Sequence, residues 1–70
     1  MSLKKVEELL QWYREIGFTV IVNEDETAAF HPDGKCVHWS CYTDENALWA
    51  MVNSMSATAF RVVNGVAYRL

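Results

Sequence analysis

Apolar positions recur along the chain with two different periods. Leu3, Val6, Leu9, Leu10, Tyr13 and Ile16 return every three or four residues, the spacing of one stripe along a helix. Ser2 stands where its hydroxyl would cap the first turn, and Gly17 stands where a residue tolerant of the left-handed region would end the last. From Phe18 to Val22 the period drops to two in β-favouring residues, and Asn23-Glu24-Asp25-Glu26 supplies a polar turn into a second strand beginning at Thr27. Pro32-Asp33-Gly34 makes the next turn: proline fixes a negative φ at the first corner of a type I turn, Gly34 takes the left-handed position, and His31 pairs with Lys35. The helical period then returns. Thr43 is the expected cap, Asp44 and Glu45 lie in a first turn whose dipole favours negative charge, and Ala47, Leu48, Met51, Val52 and Met55 form the inward stripe. From Thr58 a last pair of strands folds at Asn64-Gly65, the strongest short hairpin signal in the chain.

These elements predict an α+β fold: a three-stranded antiparallel meander plus a C-terminal β-hairpin, with two helices packed on one face. Straight alternation outward from His31 and Lys35 places Val20, Val22, Ala29, Val37 and Trp39 on one face of the meander and Ile21, Ala28, Phe30, Cys36 and His38 on the other. The first set is the more continuously aliphatic, so the helices are expected over it and the second face is expected to be semi-exposed. A slip of one residue at the turn would exchange the partners of the second and third strands. In the hairpin, Arg61 falls opposite Tyr68 and Arg69 opposite Phe60, a pairing that sets each cation beside a ring.

Composition adds one constraint. Seventy residues make one domain, 1–70, and nine of them are aromatic, three of those tryptophan. So small a domain has limited interior, and some aromatic surface is expected to remain outside for a partner. Trp49 projects away from the inward stripe with Glu45, Asn46 and Asn53 and is the first candidate for an interface anchor, unless the C-terminal hairpin folds over it. Trp12, at the edge of the first stripe beside Lys5, is a boundary residue. Phe30 and His38 on the second face compete for the anchoring role. Glu24, Asp25 and Glu26 form either a solvated turn or an acidic rim that steers a basic partner. A homodimer would use either patch.

The formal charge is −3, and the six basic residues are scattered rather than clustered, so a phosphate-tracking surface is not favoured. Lys4 and Lys5 are followed by Glu7 and Glu8 rather than by an apolar run, so neither a signal peptide nor a membrane span is expected. Cys36 and Cys41 lie on opposite faces of one strand, about 16 Å apart at the usual rise, too far to bridge. Reduced thiols point to the cytoplasm. His31, Cys36, His38 and Cys41 have tempting spacing for a metal, but alternation sends Cys41 away from Cys36 and His38, whereas a tetrahedral site draws its ligands to one point. Cys36 and His38, two apart on one side, have the spacing of a nucleophile and base, with no orienting carboxylate to complete them. No cofactor, metal or catalytic set is therefore assigned.

The order α-β-β-β-α resembles the double-stranded-RNA-binding fold and, more narrowly, the HicA-type messenger-RNA interferase toxins. The residues that carry the likeness are Gly17-Phe18 and Phe30-His31-Pro32-Asp33-Gly34, within the first forty positions. Where those toxins carry Gly-Ser-His with the catalytic histidine, this chain has Asp25-Glu26-Thr27, and the lysines of an RNA binder are missing from the second helix. The resemblance implies a topology, with RNA binding or an RNA-directed activity as the alternative function. The reading from the residues is a non-enzymatic module that binds another protein, of the kind found among phage and mobile-element inhibitors such as anti-CRISPR proteins.

Overall fold

A computed structural model describes residues 3–69, the side chains of Arg61, Val62, Ala67 and Arg69 excepted. The chain is an α+β protein with elements in the order α1 (Leu3–Glu15), β1 (Thr19–Val22), β2 (Thr27–Phe30), β3 (Cys36–Ser40), α2 (Glu45–Thr58), β4 (Phe60–Val63) and β5 (Val66–Arg69). The expected cap at Ser2 lies outside the described residues. The other end of α1 is closed as its sequence requires. Gly17 takes φ +112°, which lets its N–H reach the Arg14 carbonyl at 3.1 Å and the Phe18 N–H reach the Tyr13 carbonyl at 3.0 Å. Those two bonds satisfy carbonyls that the last helical turn leaves open, and the rings of Tyr13 and Phe18 meet edge to face at 5.5 Å over them.

β1, β2 and β3 form an antiparallel meander, and β4 with β5 forms a separate two-stranded sheet. In the meander Val20 pairs with Ala29, and Ile21 with Ala28. The β2–β3 turn is built as its residues dictate: His31 accepts from Gly34 N–H at 2.8 Å and donates to Lys35 at 2.8 Å, with Gly34 at φ +98°. The Lys35 N–H also donates to Asp33 Oδ1, and this bond is the main cause that holds the Asp33 carboxyl below the usual carboxylate range.

Immediately beyond this turn the register departs from straight alternation. Phe30 pairs with Cys36, but Ala29 pairs with His38 and Ala28 with Trp39, so Val37 is an extra residue in β3. The bulge moves everything after it to the other face. His38, expected on the open face, joins Val20 and Ala29 on the helix side; Trp39, expected under the helices, joins Ile21 and Ala28 on the open side. Val37 itself stays half-buried against the core.

The helices cover one face only, with α1 against β1 and α2 across β2 and β3. Val6, Leu10 and Tyr13 of α1, Phe18 just before β1, Val20 and Ala29 of the sheet, Leu48, Met51, Val52 and Met55 of α2, and Ala59 at its C-cap close into one core. All five expected inward positions of α2 are buried. Its cap, however, is Asp44 rather than Thr43: the Asp44 carboxylate accepts from Ala47 N–H at 2.9 Å, while the Asp44 backbone is extended. Asp ranks ahead of Thr in this role, and the helix starts one residue later than expected.

α1 and the β2–β3 turn meet at Gly17. A β-carbon added there would lie 3.2 Å from Pro32 Cγ, in a backbone conformation that already disfavours side chains. Gly17→Ala is therefore expected to lower the unfolding free energy by about 1–2 kcal/mol, measured by urea denaturation. Gly34→Ala, with open space around it but φ +98°, isolates the conformational part of that loss.

Candidate functional site

The meander has two faces and the helices cover one, so the second is the natural place to look for a surface. Across its centre run Ile21, Ala28 and Trp39 in register, with Thr19, Phe30 and Cys36 in the neighbouring row. Trp39 is 61% exposed and Ile21 36%, whereas Ala28, between them, is only 3% exposed. The two large side chains flank a small one, so the strip is a filled apolar surface. Phe30 is half-buried at its edge.

The Trp39 ring is held in place. Its Nε1–H donates to Glu26 Oε2 at 2.9 Å, and Glu26 sits at the end of the β1–β2 turn. Asn23 builds that turn: its Oδ1 accepts from both Asp25 N–H at 2.8 Å and Glu26 N–H at 2.9 Å, and its N–H donates to the Glu26 carbonyl. Glu24 and Asp25 remain exposed at the tip. The expected acidic rim thus adjoins the open face, and one of its three carboxylates is the hydrogen-bond partner of the exposed indole.

The other two tryptophans are placed differently. Trp49 is half-buried against the core, its Nε1–H donating to Glu45 Oε1 at 3.4 Å. Among the described residues β5 approaches neither helix and β4 meets only α2, the helix that carries Trp49. Trp12 is also half-buried against the core and meets Tyr13 edge to face at 5.0 Å. Of the residues singled out from the sequence, Phe30 and Glu24 to Glu26 therefore gather at the open face, while Trp12, Trp49 and His38 lie elsewhere. Trp39 was missed because straight alternation buries it, and no glycine in β3 signals the bulge.

His38 instead lies beside a shallow concavity of about 400 Å³ between the end of β3 and the start of α2, lined also by Ser40, Tyr42, Asp44 and Asn46. Thr27, fully buried, donates its only hydroxyl proton to the Tyr42 carbonyl at 3.1 Å, and its oxygen lies 3.4 Å from His38 Nε2. With that proton committed, the contact forms when Nε2 carries hydrogen and Thr27 accepts. Burial pushes the His38 imidazole below its ordinary value, favouring the neutral ring.

The bulge also separates Cys36 from the imidazole. The Cys36 thiol donates to the His38 backbone carbonyl at 3.4 Å, and the two side chains belong to opposite faces rather than to one. Both cysteines are exposed and unbridged. Among the described residues no three His, Cys, Asp or Glu side chains are grouped to hold a metal ion, and no helix is long and apolar enough to cross a membrane. The stacking expected of Arg61 and Arg69 falls on side chains outside those described.

Comparisons with protein-family models, with curated proteins and with solved structures return no match.

The depressed His38 pKa gives a signed test. The unfolded chain binds a proton at the ordinary value of 6.5 and the folded chain resists it, so this contribution is complete above that value and is lost as pH falls below it, through the lowered value of the folded chain. The urea midpoint is expected to fall as pH drops below 6.5, and His38→Gln is expected to flatten that part of the profile. An unchanged slope in the variant would assign the pH dependence to other groups.

Proposed function

We propose that this protein is a binding module that acts on another protein with no chemistry of its own, and that the open face of the meander is the surface it uses. The observation that carries this reading is Trp39: a large ring, mostly exposed, on the central strip of a face that no element covers, and pinned by Glu26. Tryptophan on a firm scaffold is the residue type most enriched among those that dominate binding energy, because it buries much area while giving up little freedom. Ile21 and the edge of Phe30 extend the apolar strip, and Glu24 and Asp25 at its end favour a partner with basic residues. The double-stranded-RNA-binding reading has the element order on its side and the surplus of carboxylates against it.

In finer terms, a chain this short, acidic and rich in rings fits an inhibitor encoded by a phage or mobile element that occupies a host macromolecular complex, of the anti-CRISPR kind. It would act in the cytoplasm by covering a working surface of its target.

Affinity capture from the native host with the wild-type chain and Trp39→Ala tests the reading. The variant is expected to keep the wild-type unfolding free energy to within about 1 kcal/mol, since most of the ring faces water, and to lose about thirtyfold in affinity for the captured partner. Trp49→Ala is expected to lower stability instead, because that ring packs on the core. Retention of the partner by Trp39→Ala would remove the open face from the function. Appreciable binding of duplex RNA at low salt would replace the reading with an RNA-directed one.

A further inference from the structure

Among the described residues no element covers the hairpin formed by β4 and β5. Its turn is well made: Asn64 at φ +52° and Gly65 at φ +78° give the turn type whose twist matches paired strands, and Phe60 to Val63 pair with Arg69 to Val66 in unbroken register. Among the same residues it approaches the rest of the molecule where β4 leaves α2, and not at α1 or the meander. Alternation puts Phe60 on one face of the ribbon and Val63, Val66 and Tyr68 on the other, and all four are about half exposed or more. A ribbon that is apolar on both faces, with two strands and no third layer, is marginal in water.

Charge divides the molecule along the same line. Nine carboxylates and four basic residues precede Phe60, a formal −5, whereas the hairpin segment carries Arg61 and Arg69 and no carboxylate, a formal +2. The acidic excess is concentrated at one end of the sheet: the β1–β2 turn with Glu24, Asp25 and Glu26, and the start of α2 with Asp44 and Glu45, lie together because Thr27 of β2 is paired with Ser40 of β3 and bonded to Tyr42. α2 runs about 20 Å from there to the hairpin. The molecule measures 41 × 25 × 18 Å along its principal axes, and the sequence divides its charge between a body that is formally negative and a hairpin segment that is formally positive.

We propose that the hairpin is a dimerisation arm and that its occupant is a second copy of this chain, set antiparallel about a two-fold axis so that each arm lies on the acidic end of the other. Antiparallel pairing closes the assembly, uses both unlike ends twice, and keeps like ends apart. One face of the arm carries Val63, Val66 and Tyr68, which together offer roughly 250 Å², taking about 150–250 Å² for a whole ring and less for valine. Two arms and the surfaces they cover come to about 1,000 Å², the size of a weak, reversible pairing. This inference needs neither Trp39 nor a foreign partner, although the acidic turn it uses is also the rim of the open face.

Sedimentation equilibrium of the full chain at about 50 μM and low salt tests it at a concentration where a dimer of micromolar affinity is populated. The expected mass is twice the 8.0 kDa of one chain. Val63→Asp with Val66→Asp, two exposed sites far from the core, is expected to raise the dimer dissociation constant at least tenfold. Glu24→Gln with Asp25→Asn, at the opposite end and with the arm intact, is expected to weaken pairing in the same direction, as is raising the salt to about 0.5 M. Trp39→Ala is expected to leave the dimer in place while removing the foreign partner, which separates failure of this proposal from failure of the open-face reading. A single-chain mass for the wild type, or a dimer that persists in the arm variant, would overturn the arm's role. A dimer indifferent to salt and to the acidic-end variant would overturn its placement.

Discussion

Val37 stands opposite no residue of β2, and the arrangement of rings and charges follows from that one unpaired position. Without it, strict alternation would carry the Trp39 indole under the helices and leave His38 in water. With it, a small core is closed by Val20, Ala29 and the α2 methionines, and the large indole remains outside. A seventy-residue chain has little room for a buried tryptophan beside Met51, Met55 and Tyr13, so the bulge serves packing as much as surface. The same residue carries His38 inward, where Thr27 meets it, and so ties β2, β3 and the segment leading to α2 into one corner.

Much of the frame was legible beforehand because its determinants are local. The stripes of α1 and α2, the left-handed glycine at position 17, the type I turn at Pro32-Asp33-Gly34 and the acidic turn each depend on residues within a few positions of one another. The bulge does not. It is settled by competition between whole faces of the sheet for the helices, and nothing in Cys36-Val37-His38 announces it. Alternation alone places Phe30 on the open face and the Glu24 to Glu26 turn at its end, whereas Trp39 reaches that face only through the bulge. Trp49 was drawn inward by packing against the core, an outcome that helical periodicity alone does not encode. The one-residue shift of the α2 cap is a smaller case of the same kind, with adjacent Thr43 and Asp44 both chemically able to cap.

The body and the hairpin follow different rules. Helices and meander share a core in which the inward stripes of α1 and α2 meet the covered face of the sheet. The hairpin has a strong turn and good pairing but no inside, and the basic charge it carries is absent from the acidic end of the body. Local sequence is sufficient to shape such a ribbon; what it rests against is determined elsewhere.

The three indoles occupy three different settings, and this gives the molecule an optical reporter of its own. Trp39 stands largely in water with a carboxylate at its ring nitrogen, while Trp12 and Trp49 lean on the core. The red side of the emission band accordingly belongs to Trp39, and anything that dries the open face moves that component to shorter wavelength without a label. The hairpin contains no tryptophan, so a change confined to it leaves that component where it is, whereas a surface laid on the Glu24–Glu26 turn reaches the carboxylate that holds the Trp39 ring nitrogen.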